Sequence, residues 1–196
     1  MKKIFFLFII LFGSFQTYCQ CDTGRFVHGI NFSSYTALTE DYSYTYNLNY
    51  TLQKGRSIFS LGPSFGSTAH YSIYGGEPDR GSFNLIGFLG SYKFNILKPQ
   101  KRVNVFFCYD IYYHFYKGNN RDVSNSFDIK VKERKFGFCI GNGISVRTIK
   151  QLYIETNIGM GYRLENFQVT VDPELPNNKE TFDFNLIIKL GLGFKF

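Results

Sequence analysis

The 196-residue sequence predicts an all-β fold, an eight-stranded antiparallel up-and-down transmembrane β-barrel. Two observations predict it. Large apolar residues recur at every second position over several long stretches, which is the period of a strand with two unlike faces. The residues between them are mostly Gly, Asn, Ser and Thr rather than Lys and Glu. Composition agrees: 23 Phe and 15 Tyr suit a pleated, half-buried surface.

The N-terminus reads as an address. Met1-Lys2-Lys3 leads into the apolar run Ile4 to Phe12 and then into polar residues, the layout of a secretory signal peptide. The run falls short of the roughly 20 apolar residues of a spanning helix. Thr17 and Cys19 suit the positions before a cut at Gln20, so residues 1–19 are expected to be a leader and 20–196 the barrel domain. Lipidation at Cys21 is the alternative, but Tyr18 and Gln20 stand where an aliphatic and a small residue belong. After Gln20 no apolar stretch reaches spanning length, so a membrane fold has to cross as a closed barrel.

The last strand is the clearest. Phe182, Phe184, Leu186, Ile188, Leu190, Leu192, Phe194 and Phe196 alternate with Asp183, Asn185, Ile187, Lys189, Gly191, Gly193 and Lys195. Leu152 to Leu164, Val103 to Phe115 and Tyr42 to Leu52 repeat the pattern, and noisier runs cover 25–36, 57–73, 82–94 and 133–147. Pro63 cannot donate a ladder bond, so a bulge or kink is expected there. Gly55, residues 95–102 and 148–151 read as turns at one end. Residues 37–41, 74–81, 117–132 and 166–181 read as loops at the other, with 117–132 and 166–181 the longest. The rival architecture is a soluble, lipocalin-like barrel, whose polar face would meet water and be rich in Lys and Glu. The mostly small polar face here, with a few charges of both signs, fits a narrow lumen instead.

With Leu190-Gly191-Leu192-Gly193-Phe194-Lys195-Phe196 as its end, this pattern resembles the small outer-membrane barrels of the OmpX and OmpA-transmembrane type. The resemblance implies an outer-membrane address, contact with outer-membrane lipid and lipopolysaccharide, and Phe194 and Phe196 as the signal read by the barrel-assembly machinery. The chain ends at its last strand, so no OmpA-like peptidoglycan-binding domain is expected. The Phe-rich leader followed by Gln is similar to those of Bacteroidetes.

Candidate sites follow from the polar faces. Asp110, Glu155, Glu165 and Asp183 share them with Arg147, Arg163 and Lys189. An eight-stranded lumen is just wide enough to be filled by side chains, and charges buried there have to pair, so these seven are expected to form a structural polar network. Cys108 and Cys139 fall on the polar faces of adjacent strands, directly or diagonally opposite, where a disulfide can form if the Cα atoms lie within about 7 Å. Tyr42, Tyr44, Tyr112, Tyr113 and Tyr116 read as an interfacial girdle, and the charge run Lys130 to Lys135 as a solvated rim. His70 and Ser72 share a face and faintly resemble the His-x-Ser pair of lipid A deacylases. A persuasive nucleophile and base need a third, orienting group, and none is identifiable.

The formal charge is +7, yet no dense basic stripe or binding motif points to nucleic acid. No cofactor, metal site or enzymatic activity is expected. The leading expectation is a structural or interaction barrel acting through its extracellular loops. A narrow porin-like channel and a lipid A-modifying enzyme remain as alternatives, and the extracellular partner stays open.

Overall fold

The computed structural model describes residues 25–37, 43–69, 82–98, 101–122, 127–171 and 177–196. The expected leader, Cys19, Cys21, Tyr42 and the His70–Ser72 pair lie outside them. Eight strands follow one another: β1 (Val27–Ala37), β2 (Ser43–Lys54), β3 (Ser57–Ala69), β4 (Ser82–Asn95), β5 (Val103–Asp122), β6 (Phe127–Arg147), β7 (Leu152–Val171) and β8 (Asn177–Lys195). Each pairs antiparallel with its neighbour in sequence, and β1 pairs with β8 to close the barrel. At the seam Phe32 faces Leu192, and the Phe196 amide donates to the His28 carbonyl at 2.9 Å.

The alternation is inside out. Phe32, Leu48, Ile86, Ile111, Ile158 and Leu190 are exposed, while Asn31, Asn47, Ser64, His114, Asn157 and Asn185 are buried. The apolar face therefore points outward and the polar face lines the lumen, the arrangement of a barrel solvated by lipid. The shortest strand, β1, has 11 residues. At a rise of about 3.4 Å per residue and a tilt of about 40° it stands roughly 28 Å high, enough for an apolar band of about 25 Å.

Lumenal glycines make room for aromatic rings. The register sets Tyr112 opposite Gly137, Phe106 opposite Gly143 and Tyr153 opposite Gly193. A Cβ built on Gly137 would lie 2.3 Å from the Tyr112 ring, one on Gly143 2.4 Å from Phe106, and one on Gly193 2.1 Å from Tyr153. Each ring covers a glycine on the next strand, which lets a small lumen hold several rings. Gly55 has a different task. Its φ of +56° lets β2 reverse into β3 within two residues, Gly55 and Arg56.

Two expectations are corrected. Pro63 causes no bulge: β2–β3 pairing lapses between Asn47↔Ser64 and Tyr50↔Leu61 and then resumes in the same register. The missing amide donor interrupts the ladder without inserting a residue. Second, 117–132 and 166–181 are mostly strand. β5 runs to Asp122, β6 starts at Phe127, β7 runs to Val171 and β8 starts at Asn177. In β6 the large apolar residues shift from even positions (Phe136, Phe138, Ile140) to odd ones (Phe127, Ile129, Val131), so a pattern with one lipid-facing phase stops short of the strand's end.

Among the described residues, the four later strands are the longer. β6 has 21 residues against 11 in β1. The described β1–β8 pairs run to Ala37↔Ile187 and the β4–β5 pairs to Asn84↔Lys117, while β5–β6 pairing continues to Asp122↔Phe127 and β7–β8 to Val169↔Asn177. Among the described residues, the pairing of β5 to β8 continues past the last described β1–β8 pair.

The ring-over-glycine packing makes a prediction. Gly137→Val should destabilise the barrel by about 1–3 kcal/mol, the usual cost of overpacking. Tyr112→Ala should then cost less in the Gly137→Val background than in the wild type. A double-mutant cycle on urea unfolding in lipid vesicles measures the coupling.

Candidate functional site

The lumen is the candidate site, because strand parity brings the chain's buried polar chemistry there. From β5 it receives Asn104, Phe106, Cys108, Asp110, Tyr112, His114 and Tyr116, every second residue in turn, all buried. The other strands contribute in the same way, so one axis collects side chains far apart in sequence.

At mid-height Lys189 Nζ donates to Asp110 Oδ2 at 2.6 Å, linking β8 to β5 across the lumen. Toward the short-turn end Lys93 of β4 is ion-paired with Glu155 of β7, and Asn31 Nδ2 donates to the same carboxylate at 3.2 Å. Toward the other end Lys135 bridges Glu133 and Glu165, each at 3.1 Å, and Arg163 pairs with Glu165 at 2.6 Å. An aromatic layer lies between these groups. His114 is 0% exposed and stacks on Tyr35 and Tyr112, with Tyr35 Oη and His114 Nδ1 in a 3.0 Å hydrogen bond. Asn185 Nδ2 donates to Tyr112 Oη at 2.7 Å, and the Lys135 ammonium lies 5.1 Å from the Tyr116 ring centre.

Of the seven residues expected in a polar network, Asp110 meets Lys189 and Arg163 meets Glu165. Glu155 pairs with Lys93, which the sequence reading did not single out. Arg147 and Glu155 line the same cavity at the short-turn mouth. Asp183 is half-buried and faces Arg163 across the β7–β8 ladder. Cys108 and Cys139 are free thiols rather than a disulfide. Cys108 faces Gly141 and Cys139 faces Asp110, so the two sit diagonally, and Asn157 Nδ2 reaches Cys108 Sγ at 3.3 Å instead. Phe194 and Phe196 both point outward, and Phe196 stacks on His28.

Parity also corrects two surface assignments. Tyr112 and Tyr116 are 2% exposed and belong to the lumen, because they share the even face of β5 with Asp110; Tyr113, on the odd face, is half-buried beside Phe88. The run Lys130 to Lys135 is not a uniform rim. Lys132 and Arg134 are exposed while Glu133 and Lys135 are buried. Gly137, Gly141 and Gly143 carry the signal that finds these last two, since they set the lumenal parity of β6. Among the described residues, no three His, Cys, Asp or Glu side chains gather as a metal ion would require.

No protein-family model and no curated protein sequence matches the chain. Solved structures do. A major outer membrane protein from Thermus thermophilus aligns with 88% of this chain and 100% of its own, at 11% identity and a TM-score of 0.60. The N-terminal β-barrel domain of Pseudomonas aeruginosa OprF aligns with 87% of this chain and 97% of its own, at 12% identity and a TM-score of 0.53. At such identities the likeness is one of fold: a small, eight-stranded barrel of the kind those outer-membrane proteins have.

The mid-lumen ion pair yields a prediction. Lys189→Met leaves the Asp110 carboxylate buried without its cation and should destabilise the barrel by about 3–5 kcal/mol. Replacing both, Lys189→Met with Asp110→Leu, should recover most of that loss. Urea unfolding in lipid vesicles measures both variants.

Proposed function

We propose that this chain is an outer-membrane β-barrel whose packed lumen makes it a non-conducting anchor and whose β5–β8 extension is the recognition surface. The observation that carries the reading is the filled lumen. Phe106, Tyr112, Tyr116 and His114 are each at most 2% exposed, with the Lys93–Glu155 and Lys189–Asp110 pairs among them. Among the described residues, side chains packed to that degree leave little room for water or solutes beside them, which favours an anchor over a porin-like channel.

The outward apolar band and the fold shared with two outer-membrane proteins support the address. A leader over residues 1–19, removed before Gln20, would supply export. Lipid and lipopolysaccharide would surround the band, and the outward Phe194 and Phe196 would present the strand end to the assembly machinery. Such barrels keep short turns in the periplasm and long connections outside, so the Gly55-Arg56 and 148–151 turns face inward and the extension faces out. The extension suits recognition because its paired strands hold residues well above the lipid. This reading assigns the chain no catalytic role.

Planar-bilayer recording of the purified, refolded chain should give no steady single-channel openings. Reproducible openings altered by substitution at Tyr112 or Tyr116 would replace the anchor with a channel. Orientation has its own test. An epitope inserted in residues 123–126 should bind antibody on intact cells, and one inserted in 148–151 only after the outer membrane is permeabilised.

A further inference from the structure

The outer face of the barrel changes character between one row of facing residues and the next. On β5 it is apolar or aromatic from Val103 through Phe107 and Ile111 to Tyr113. At about 3.4 Å per residue and a tilt of about 40° that stretch stands roughly 26 Å high, the full height of an apolar band of about 25 Å. The register carries the Tyr113 row on through Phe136 and Leu164 to Phe182, all large and apolar. The next row has Phe115, Arg134 and Asn166, and the one after it Lys117, Lys132 and Gln168.

Lys117, Lys132 and Arg134 are all exposed on this face. Lys117 stands directly opposite Lys132, and Arg134 lies diagonally from Lys117. Like charges directly opposite on paired strands repel and destabilise the sheet. The other residues that face these cations are Asn84, Phe115, Asn166 and Gln168, none of them acidic. Glu180 faces Asn166 from the far side, and Asn166 Nδ2 donates to its Oε1 at 3.0 Å. Toward the short-turn end the cationic patch borders exposed apolar surface. Ile86, 71% exposed, faces Phe115, and Phe136, 50% exposed, follows Arg134 on the outer face of β6.

We propose that Lys117, Lys132 and Arg134 bind the phosphate headgroup of a membrane lipid, whose acyl chains lie over Ile86 and Phe136. A phosphate set between Lys117 and Lys132 replaces their repulsion with two attractions. The Arg134 guanidinium can donate two parallel bonds to the same group, which suits phosphate geometry. A lipid fits the patch better than a soluble phosphate, because cations and exposed apolar surface adjoin and an amphiphile satisfies both. The site rests on the reading of the outer face as lipid-facing.

The chain has no Trp, so a single introduced one reports on its own surroundings. Phe136→Trp puts the reporter beside the patch, and Tyr46→Trp puts it four strands away, on the exposed face of β2. The full chain is refolded in phosphatidylcholine vesicles doped with either phosphatidic acid or phosphatidylcholine brominated on its acyl chains, since bromine quenches Trp on contact. At Phe136→Trp, equal quenching should need roughly tenfold less phosphatidic acid than phosphatidylcholine, the worth of one charge-assisted contact. At Tyr46→Trp the two lipids should quench alike. Lys132→Gln, and independently Arg134→Gln, should remove most of the preference at Phe136→Trp, while Lys54→Gln at the opposite end of the barrel should leave it intact. Both patch residues are exposed, and Lys132→Gln removes a like-charge pair, so the barrel should fold as before. Equal quenching by the two lipids at Phe136→Trp, or the same preference at Tyr46→Trp, would overturn the site while leaving the barrel in lipid. No quenching by either lipid at either reporter would overturn the lipid-facing reading, and the site with it.

Discussion

A strand crossing lipid finds no water for its amide and carbonyl groups, and the rest of this structure follows from that deficit. Each strand satisfies its neighbour, and the circle has to close, so β1 pairs with β8 from Gly29↔Lys195 to Ala37↔Ile187. Closure then decides where side chains go. Parity sends Ile158 and Leu190 outward and Asn157 and Lys189 inward. A lumen of eight strands has no space for a bulk-water layer around those polar groups, so they solvate one another through Lys189–Asp110, Lys93–Glu155 and the Glu133–Lys135–Glu165–Arg163 chain.

The same closure explains the glycines. A narrow tube holding Phe106, Tyr112 and Tyr153 cannot also carry side chains opposite each of them, and Gly143, Gly137 and Gly193 stand at those positions. Residues that look like weak points in a flat sheet become the seats of the largest rings. Beyond the Asn84↔Lys117 and Ala37↔Ile187 pairs, the strand pairing among the described residues is that of β5–β8. Near there the exposed Lys117, Lys132 and Arg134 replace apolar residues on the outer face.

Much of this was legible in the sequence. β8, β7 and β5 show unbroken alternation because one face meets only lipid and the other only the lumen, and eight strands with their short turns can be counted from that. β1, β3, β4 and β6 were harder to read. Leu85 and Leu89 point inward while Ile86 and Phe88 point outward, so β4 is apolar on both faces and its inward Lys93 is inconspicuous. Partners such as Lys93–Glu155 and Asp110–Lys189 lie 62 and 79 residues apart. They depend on barrel curvature, which local periodicity does not encode. The length of β6 escaped notice because its apolar alternation changes phase between Phe136 and Val131.

The most direct test of the account is whether the apolar face meets lipid all around the barrel. Single spin labels at Phe32, Ile111, Ile158 and Leu190, on four strands of the chain reconstituted in vesicles, can be relaxed by oxygen, which partitions into lipid, or by a water-soluble nickel chelate. The account predicts that oxygen dominates at all four positions. Efficient relaxation by the nickel chelate at any of them would contradict a closed barrel held in lipid by its outer face.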